Sequence, residues 1–133
     1  MFKGRCECGL VQYEVDGEIQ DLSHCHCSQC RRLHGAAYAT FAGIHRNAFR
    51  YIAGAADVAV YSSSATIDRI FCRQCGSNIL ADYKPEAEFL YVCMGTVDGN
   101  PPRPSGYHQF VGSKAAWHEI TDDLKQHDRW PSA

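Results

Sequence analysis

Two short stretches of this chain each present a pair of cysteines from a turn that ends in glycine: Cys6-Glu7-Cys8-Gly9 and Cys72-Arg73-Gln74-Cys75-Gly76. A glycine after the second cysteine lets the backbone turn through positive φ and aim amide N–H groups at the sulfurs, which is the physics of a zinc knuckle. Two knuckles supply four thiolates, enough to close a tetrahedron around a divalent d¹⁰ ion. Such a site on Cys6, Cys8, Cys72 and Cys75 ties the N-terminal hairpin to a turn more than sixty residues later and leaves no room for substrate, so its role is structural. Disulfides or free thiols are the bland alternative, and iron in a four-sulfur setting is another. The single residue between Cys6 and Cys8 departs from the paired knuckles usual in iron–thiolate sites, so zinc is preferred.

The run Cys25-His26-Cys27-Ser28-Gln29-Cys30 is different in kind, with three cysteines in six residues and no matching pair elsewhere. Cys27 and Cys30 face one way across the first turn of a helix, and Cys25, at the end of the preceding strand, points to the same spot. Three protein sulfurs leave a position open on zinc, where water or a substrate thiol can sit and lose its proton. Cys25, Cys27 and Cys30 are therefore the candidate catalytic centre and the ligands of a second zinc, giving two zincs per chain. A neighbouring His24, His26, His34 or Cys93 acting as fourth ligand would instead make this a second closed site. His26 is a poor ligand, because in an extended stretch it points to the opposite side from Cys25 and Cys27. Cys93 lies in an apolar run and reads as a small buried hydrophobe. Arg31 and Arg32 read as solvated charge on a short helix or, functionally, as attraction for an anionic thiol.

The elements that must hold these cysteines are short and β-like. Leu10–Val15, Tyr38–Ile44, Phe49–Ile52, Val58–Tyr61, Thr66–Phe71, Asn78–Tyr83, Phe89–Met94 and Gly106–Val111 are each rich in aromatic or β-branched residues and bounded by Gly, Pro, Asn, Asp or Ser. That pattern predicts a mostly β domain. Helix is expected only as one or two turns starting at Ser28, over Gln29–Leu33 before Gly35, and as a turn over Arg46–Phe49. Asp98–Pro104 reads as a stiff, turn-rich loop, and the tail carrying Trp117 and Trp130 as a segment wrapped onto the core.

The length of 133 residues suits one domain with one core, here taken as 1–133, large enough to fold without disulfides. With 13 Lys and Arg against 15 Asp and Glu, the formal charge of −2 disfavours extended binding to nucleic acid or anionic membrane surfaces. No run approaches the length of a membrane span, and Met1–Cys6 lacks the apolar segment of an export signal, so a cytoplasmic location is expected. That compartment favours metal-bound or catalytic thiols over disulfides. Oligomeric state is not encoded in any motif.

The order Cys-x-Cys-Gly, Cys-His-Cys-x-x-Cys-Arg, Phe-Cys-x-x-Cys-Gly, His-x-Phe-Val-Gly-Ser-Lys-Ala-x-Trp and Asp-x-Trp-Pro resembles the glutathione-dependent formaldehyde-activating enzyme family, which includes the centromere protein V type. The likeness runs from about Gly4 to Pro131, its tail elements falling on His108–Trp117 and Asp128–Pro131. It implies a β-tent fold of packed antiparallel sheets, a structural zinc on Cys6, Cys8, Cys72 and Cys75, and a second zinc on Cys25, Cys27 and Cys30. It also implies a carbon–sulfur lyase that condenses a small-molecule thiol, glutathione, with formaldehyde to S-(hydroxymethyl)glutathione. Read from the residues alone, the three-sulfur cluster favours an enzyme that adds or removes a small electrophile at a thiol. The alternative is a non-catalytic, zinc-stabilised β scaffold that recruits a protein partner.

Overall fold

Alternation of apolar and polar residues sends successive side chains to opposite faces of a strand, and ten strands carry that sorting through the described residues of this protein. The structure, a computed structural model, describes residues 1–131. In chain order the strands are β1 (Phe2–Arg5), β2 (Gln12–Val15), β3 (Asp21–Cys25), β4 (Ala39–His45), β5 (Phe49–Ala53), β6 (Val58–Ser62), β7 (Ile67–Cys72), β8 (Asn78–Tyr83), β9 (Phe89–Cys93) and β10 (Tyr107–Gln109). One α-helix, α1 (Ser28–His34), follows β3, and short 3₁₀ turns lie at Arg46–Ala48, Ala55–Asp57, Met94–Thr96 and Val111–Ser113. Among the described residues no helix is long and apolar enough to cross a membrane.

Strands β1, β2 and β5 form a three-stranded antiparallel sheet, and the other seven form a sheet in the order β10-β3-β4-β9-β8-β7-β6. The main core fills the space between the sheets: Tyr13 and Val15 from the small sheet meet Ile44, Ile79, Leu90 and Val92 from the large one. Each fully buried aliphatic side chain here contributes roughly 1.5–3 kcal/mol relative to exposure. Tyr13 keeps its phenol satisfied inside that core, donating to Thr96 Oγ1 at 2.8 Å while Thr96 donates to the Cys93 carbonyl at 2.8 Å. Arg46 grips both carboxylate oxygens of Asp82, at 2.7 and 3.2 Å, and so fastens the β4–β5 turn to β8. Arg50 likewise pairs with the buried Glu14 across β5 and β2.

On the far side of the large sheet, alternate residues face away from the core. Phe41 and Gly43 of β4, and Phe89 and Tyr91 of β9, stand over an open cleft while Ala42, Ile44, Leu90 and Val92 go inward. The sheet is therefore both the wall of the core and the floor of the cleft.

The mostly β expectation holds, and all eight expected runs appear as strands with ends within two residues of those read from the sequence. The expected turn over Arg46–Phe49 is the 3₁₀ turn Arg46–Ala48, and the piece at Ser28 is α1. β1 and β3 lie outside the eight runs, although β3 is the strand that Cys25 was expected to end, and β10 runs parallel to β3, so the large sheet is mixed rather than wholly antiparallel. Parallel neighbours need a long connection between them, and the whole chain from Cys25 to Tyr107 serves as one. The tail does lie on the body, with His108, Phe110 and Val111 amides bonded to carbonyls of Lys125, Arg129 and His127. Trp130 packs there, but Trp117 does not: it is 75% exposed.

Candidate metal centres and the cleft

The two knuckles meet where β7 ends and the β1–β2 turn bends over it. Gly9 and Gly76 both adopt φ of +80°, the conformation that the Cys-x-Cys-Gly and Cys-x-x-Cys-Gly turns demand of a residue without Cβ. Cys6, Cys8, Cys72 and Cys75 bring their sulfurs within 4.8 Å of one another, with Cys6–Cys8 at 3.6 Å and Cys8–Cys72 at 3.9 Å. Sulfurs bound at about 2.3 Å around a tetrahedral zinc stand about 3.8 Å apart, so this donor set fits that ion. Cys6 and Cys72 are buried, Cys8 and Cys75 exposed. The Val11 amide donates to Cys6 Sγ at 3.3 Å. Ser77 ties the knuckles together, accepting from the Glu7 amide at 2.9 Å and approaching Cys75 Sγ at 3.2 Å. That hydroxyl, with nearby amides, holds the Cys75 thiol down to about 5.

The second cluster is built at the β3–α1 junction. Cys25 ends β3, and Cys27 caps α1, its sulfur accepting from the Cys30 amide at 3.3 Å. All three sulfurs lie within 4.8 Å of one another, and among the described residues no histidine nitrogen, carboxylate or fourth sulfur joins them. Hydrogen bonds from the Cys25 and Cys30 thiols hold Cys27 far below the ordinary thiol range, and the same coupling drives Cys25 upward. The three sulfurs thus form one hydrogen-bonded cluster. Arg69 of β7 faces it: its guanidinium is buried and sits 3.5 Å from Cys30 Sγ, 3.5 Å from Gln29 Oε1 and 3.0 Å from Ser63 Oγ.

The three sulfurs open onto the cleft, a cavity of about 830 Å³, within the size range of small-molecule sites. Phe110 stands at its rim with φ of +57°, a left-handed conformation that costs a bulky residue on the order of 1 kcal/mol. Its amide is held by the Arg129 carbonyl, and its ring meets Trp130 edge-on at 4.8 Å, with Trp130 stacked on Tyr83.

His26 turns to the other side of the sheet. Its Nε2 lies 2.8 Å from His108 Nδ1, and His108 Nε2 lies 3.0 Å from Asp122. A carboxylate at Nε2 makes His108 a donor there and an acceptor at Nδ1, so in the neutral chain His26 donates from Nε2 and its buried Nδ1 keeps an unpartnered lone pair. Burial, with His108 close by, pushes His26 down to about 4.

The structure thus assembles all seven cysteines singled out from spacing into two clusters of four and three. His24, His34 and Cys93, weighed as fourth donors for the smaller cluster, stay out of it. His24 Nδ1 bonds Thr40 Oγ1 at 2.8 Å, His34 packs edge-on against Phe41, and Cys93 is buried, which pushes its thiol up to about 12. Arg31 and Arg32 do not line the cleft: Arg31 donates to the Ser113 carbonyl and Arg32 is exposed. The cation beside the sulfurs is Arg69, which spacing could not reveal. Its one signal was a charged residue inside the strand-like run Thr66–Phe71.

The pattern that defines the glutathione-dependent formaldehyde-activating enzyme family matches residues 1–113. An uncharacterised lyase of Schizosaccharomyces pombe is 28% identical over 82 residues, which make up 62% of this chain and 58% of that protein. A putative glutathione-dependent formaldehyde-activating enzyme of Penicillium rubens is 27% identical over 131 residues, covering 92% of this chain and 69% of its own length. The matched segment therefore spans little more than half to two-thirds of these relatives. A crystal structure of a Rhodobacter sphaeroides protein superposes with a TM-score of 0.63 at 30% identity, covering 75% of this chain and 91% of that one. With its cysteine clusters, its sheets and a match over most of its length, the chain belongs to the glutathione-dependent formaldehyde-activating enzyme family.

Proposed function

We propose that this chain is a zinc-dependent enzyme of the carbon–sulfur lyase type, making or breaking the bond between a thiol sulfur and a small electrophilic carbon. On this reading 1–133 is one domain with two metal centres, Cys6, Cys8, Cys72 and Cys75 holding a structural zinc and Cys25, Cys27 and Cys30 a second, reactive one. A reducing cytoplasm, where these thiols stay available, is the compartment that suits it. The observation that carries the reading is the three-sulfur cluster, without a fourth protein donor among the described residues, set in the floor of a large cleft. A zinc ion held there supplies a Lewis acid with a free position that favours the thiolate form of a substrate sulfur.

The chain's own residues do the rest. Arg69 offsets the negative charge of the thiolates, and the cleft walls hold sulfur and electrophile together, so that proximity supplies part of the rate. In the condensing direction a carbon–sulfur bond forms, the carbonyl π bond opens, and the proton given up by the thiol ends on oxygen. No oxidant or reductant is consumed. The relatives named as a lyase and as a formaldehyde-activating enzyme support this reaction class.

Following formaldehyde by ¹³C NMR with a panel of small thiols, glutathione among them, tests the proposal: the zinc-loaded protein is expected to accelerate thiol-dependent consumption. No thiol dependence with any member of the panel would leave the scaffold reading as the better account. Metal release offers a second measurement. A chromogenic chelator is expected to withdraw metal in two phases, the first leaving the fold intact, because three protein ligands expose an ion more than four do. A single phase coincident with unfolding would count against an open centre.

A further inference from the structure

The cleft has a direction, and its two ends carry opposite chemistry. Asp21, Ser23 and Cys25 enter it from alternate positions of β3, which puts Asp21 about 13 Å along the strand from the sulfurs, at about 3.3 Å per residue. Asp21 begins a row that crosses the sheet through Gly43 of β4 and Tyr91 of β9. The missing side chain of Gly43 keeps this row low: a Cβ there would stand 3.1 Å from Asp21 Cβ and 3.3 Å from the Tyr91 ring. Glu86 closes the same end from the β8–β9 turn.

Both carboxylates are oriented by phenols. Tyr107 donates to Asp21 Oδ2 at 3.0 Å, and Tyr91 donates to Glu86 Oε2 at 2.7 Å. Neither carboxylate is paired with a lysine or arginine among the described residues. Arg69 is the one lysine or arginine in the described lining of the cleft, and it is engaged at the sulfur end. The distal end therefore offers two oriented, unneutralised carboxylates among aromatic rings, a setting that attracts an ammonium through charge and ring faces together. It repels a carboxylate. Glutathione carries two carboxylates and one ammonium, and the described lining of this cleft holds no free cation to receive either acid.

Resting on the thiol-site reading above, we propose that the cleft takes a thiol, or its one-carbon adduct, with an aromatic or apolar body and a terminal amine, sulfur toward Cys25, Cys27 and Cys30 and ammonium between Asp21 and Glu86.

Calorimetry on the zinc-loaded full chain tests this with three benzyl thiols that differ only in a para arm ending in an amine, a methyl group or a carboxylate, with glutathione alongside and 4-ethylbenzylamine as a thiol-free probe. The amine-ended thiol is expected to bind at least about tenfold tighter than the carboxylate-ended one, since attraction to the half-buried Asp21 and the exposed Glu86 is exchanged for repulsion. That ratio should shrink toward one in Glu86→Gln and in Asp21→Asn, two variants that keep the shapes of the side chains they replace. Carboxylate-ended thiol or glutathione binding as tightly as the amine-ended thiol overturns the proposal. If the thiol-free amine binds and loses affinity in Glu86→Gln while no thiol binds, the amine end stands and the thiol-site reading falls. If neither the amine nor any thiol binds, the assignment of this cleft is wrong.

Discussion

Serine in place of Cys75 is expected to lower the melting temperature by more than about 10 °C, although Cys75 is exposed and its side chain packs into no core. Burial alone gives no such cost, since exposed substitutions usually stay within about 0.5 kcal/mol. The loss follows only if Cys75 completes a site whose metal affinity is folding free energy and whose ligands join β7 to the β1–β2 turn across more than sixty residues. Cys30→Ser is the informative contrast. Cys30 is 2% exposed, so packing alone ranks its substitution as the worse of the two. A structural four-sulfur centre reverses that rank, because the three sulfurs of the other cluster come from six consecutive residues and cross-link nothing distant. Melting curves of the two purified variants, recorded with and without added zinc, decide between these orders. A Cys75→Ser protein as stable as wild type would show that the first cluster holds no structural metal.

Cys27→Ser is expected to reduce thiol-dependent formaldehyde turnover by at least about a hundredfold while changing the melting temperature by no more than a few degrees. Serine preserves shape and the capping hydrogen bond from the Cys30 amide, so α1 can still form. What it removes is a soft, ionisable ligand: an alcohol does not become an anion near neutral pH, and two sulfurs do not hold zinc as three do. Circular dichroism and metal content should accompany the rates. Retained turnover in a folded Cys27→Ser protein would move the chemistry away from Cys25, Cys27 and Cys30.

The cysteine clusters that could hold metal were legible in the sequence because their spacing is local. Cys6-Glu7-Cys8-Gly9 and Cys72-Arg73-Gln74-Cys75-Gly76 carry both the ligands and the glycines that shape the turns, and both glycines have the positive φ their places require. Most strands were equally open to reading, since β-branched and aromatic runs between turn residues leave few choices. β1 and β3 escaped the propensity reading for different reasons, although the geometry of the cysteines called for a strand ending at Cys25. Phe2-Lys3-Gly4-Arg5 has too little β propensity to declare itself and is a strand because β2 pairs with it along its whole length. Asp21-Leu22-Ser23-His24-Cys25 is polar because its alternate residues line a cleft, so the property that sets β3 along the cleft also hides it from a propensity argument. Arg69 and Arg31 show the limit from the other side. The arginine adjacent in sequence to Cys30 turns to Ser113, and the one 39 residues away supplies the charge.

The parallel pairing of β10 with β3 also sets an order of events during synthesis. β3 and the thiols at its end leave the ribosome early, yet the strand that covers its outer edge begins only at Tyr107, and the Gln126 bridge that flanks β10 comes later still. Until that length of chain has been made, β3 is an unpaired edge with cysteines at its tip, open to pairing with a neighbouring polypeptide and to oxidation. The cost of closing so long a loop grows only with the logarithm of its length, so delay rather than equilibrium stability is the penalty. A nascent chain of this protein is therefore most vulnerable in the interval between Cys30 and Tyr107, when the three-cysteine cluster exists but its sheet is still open.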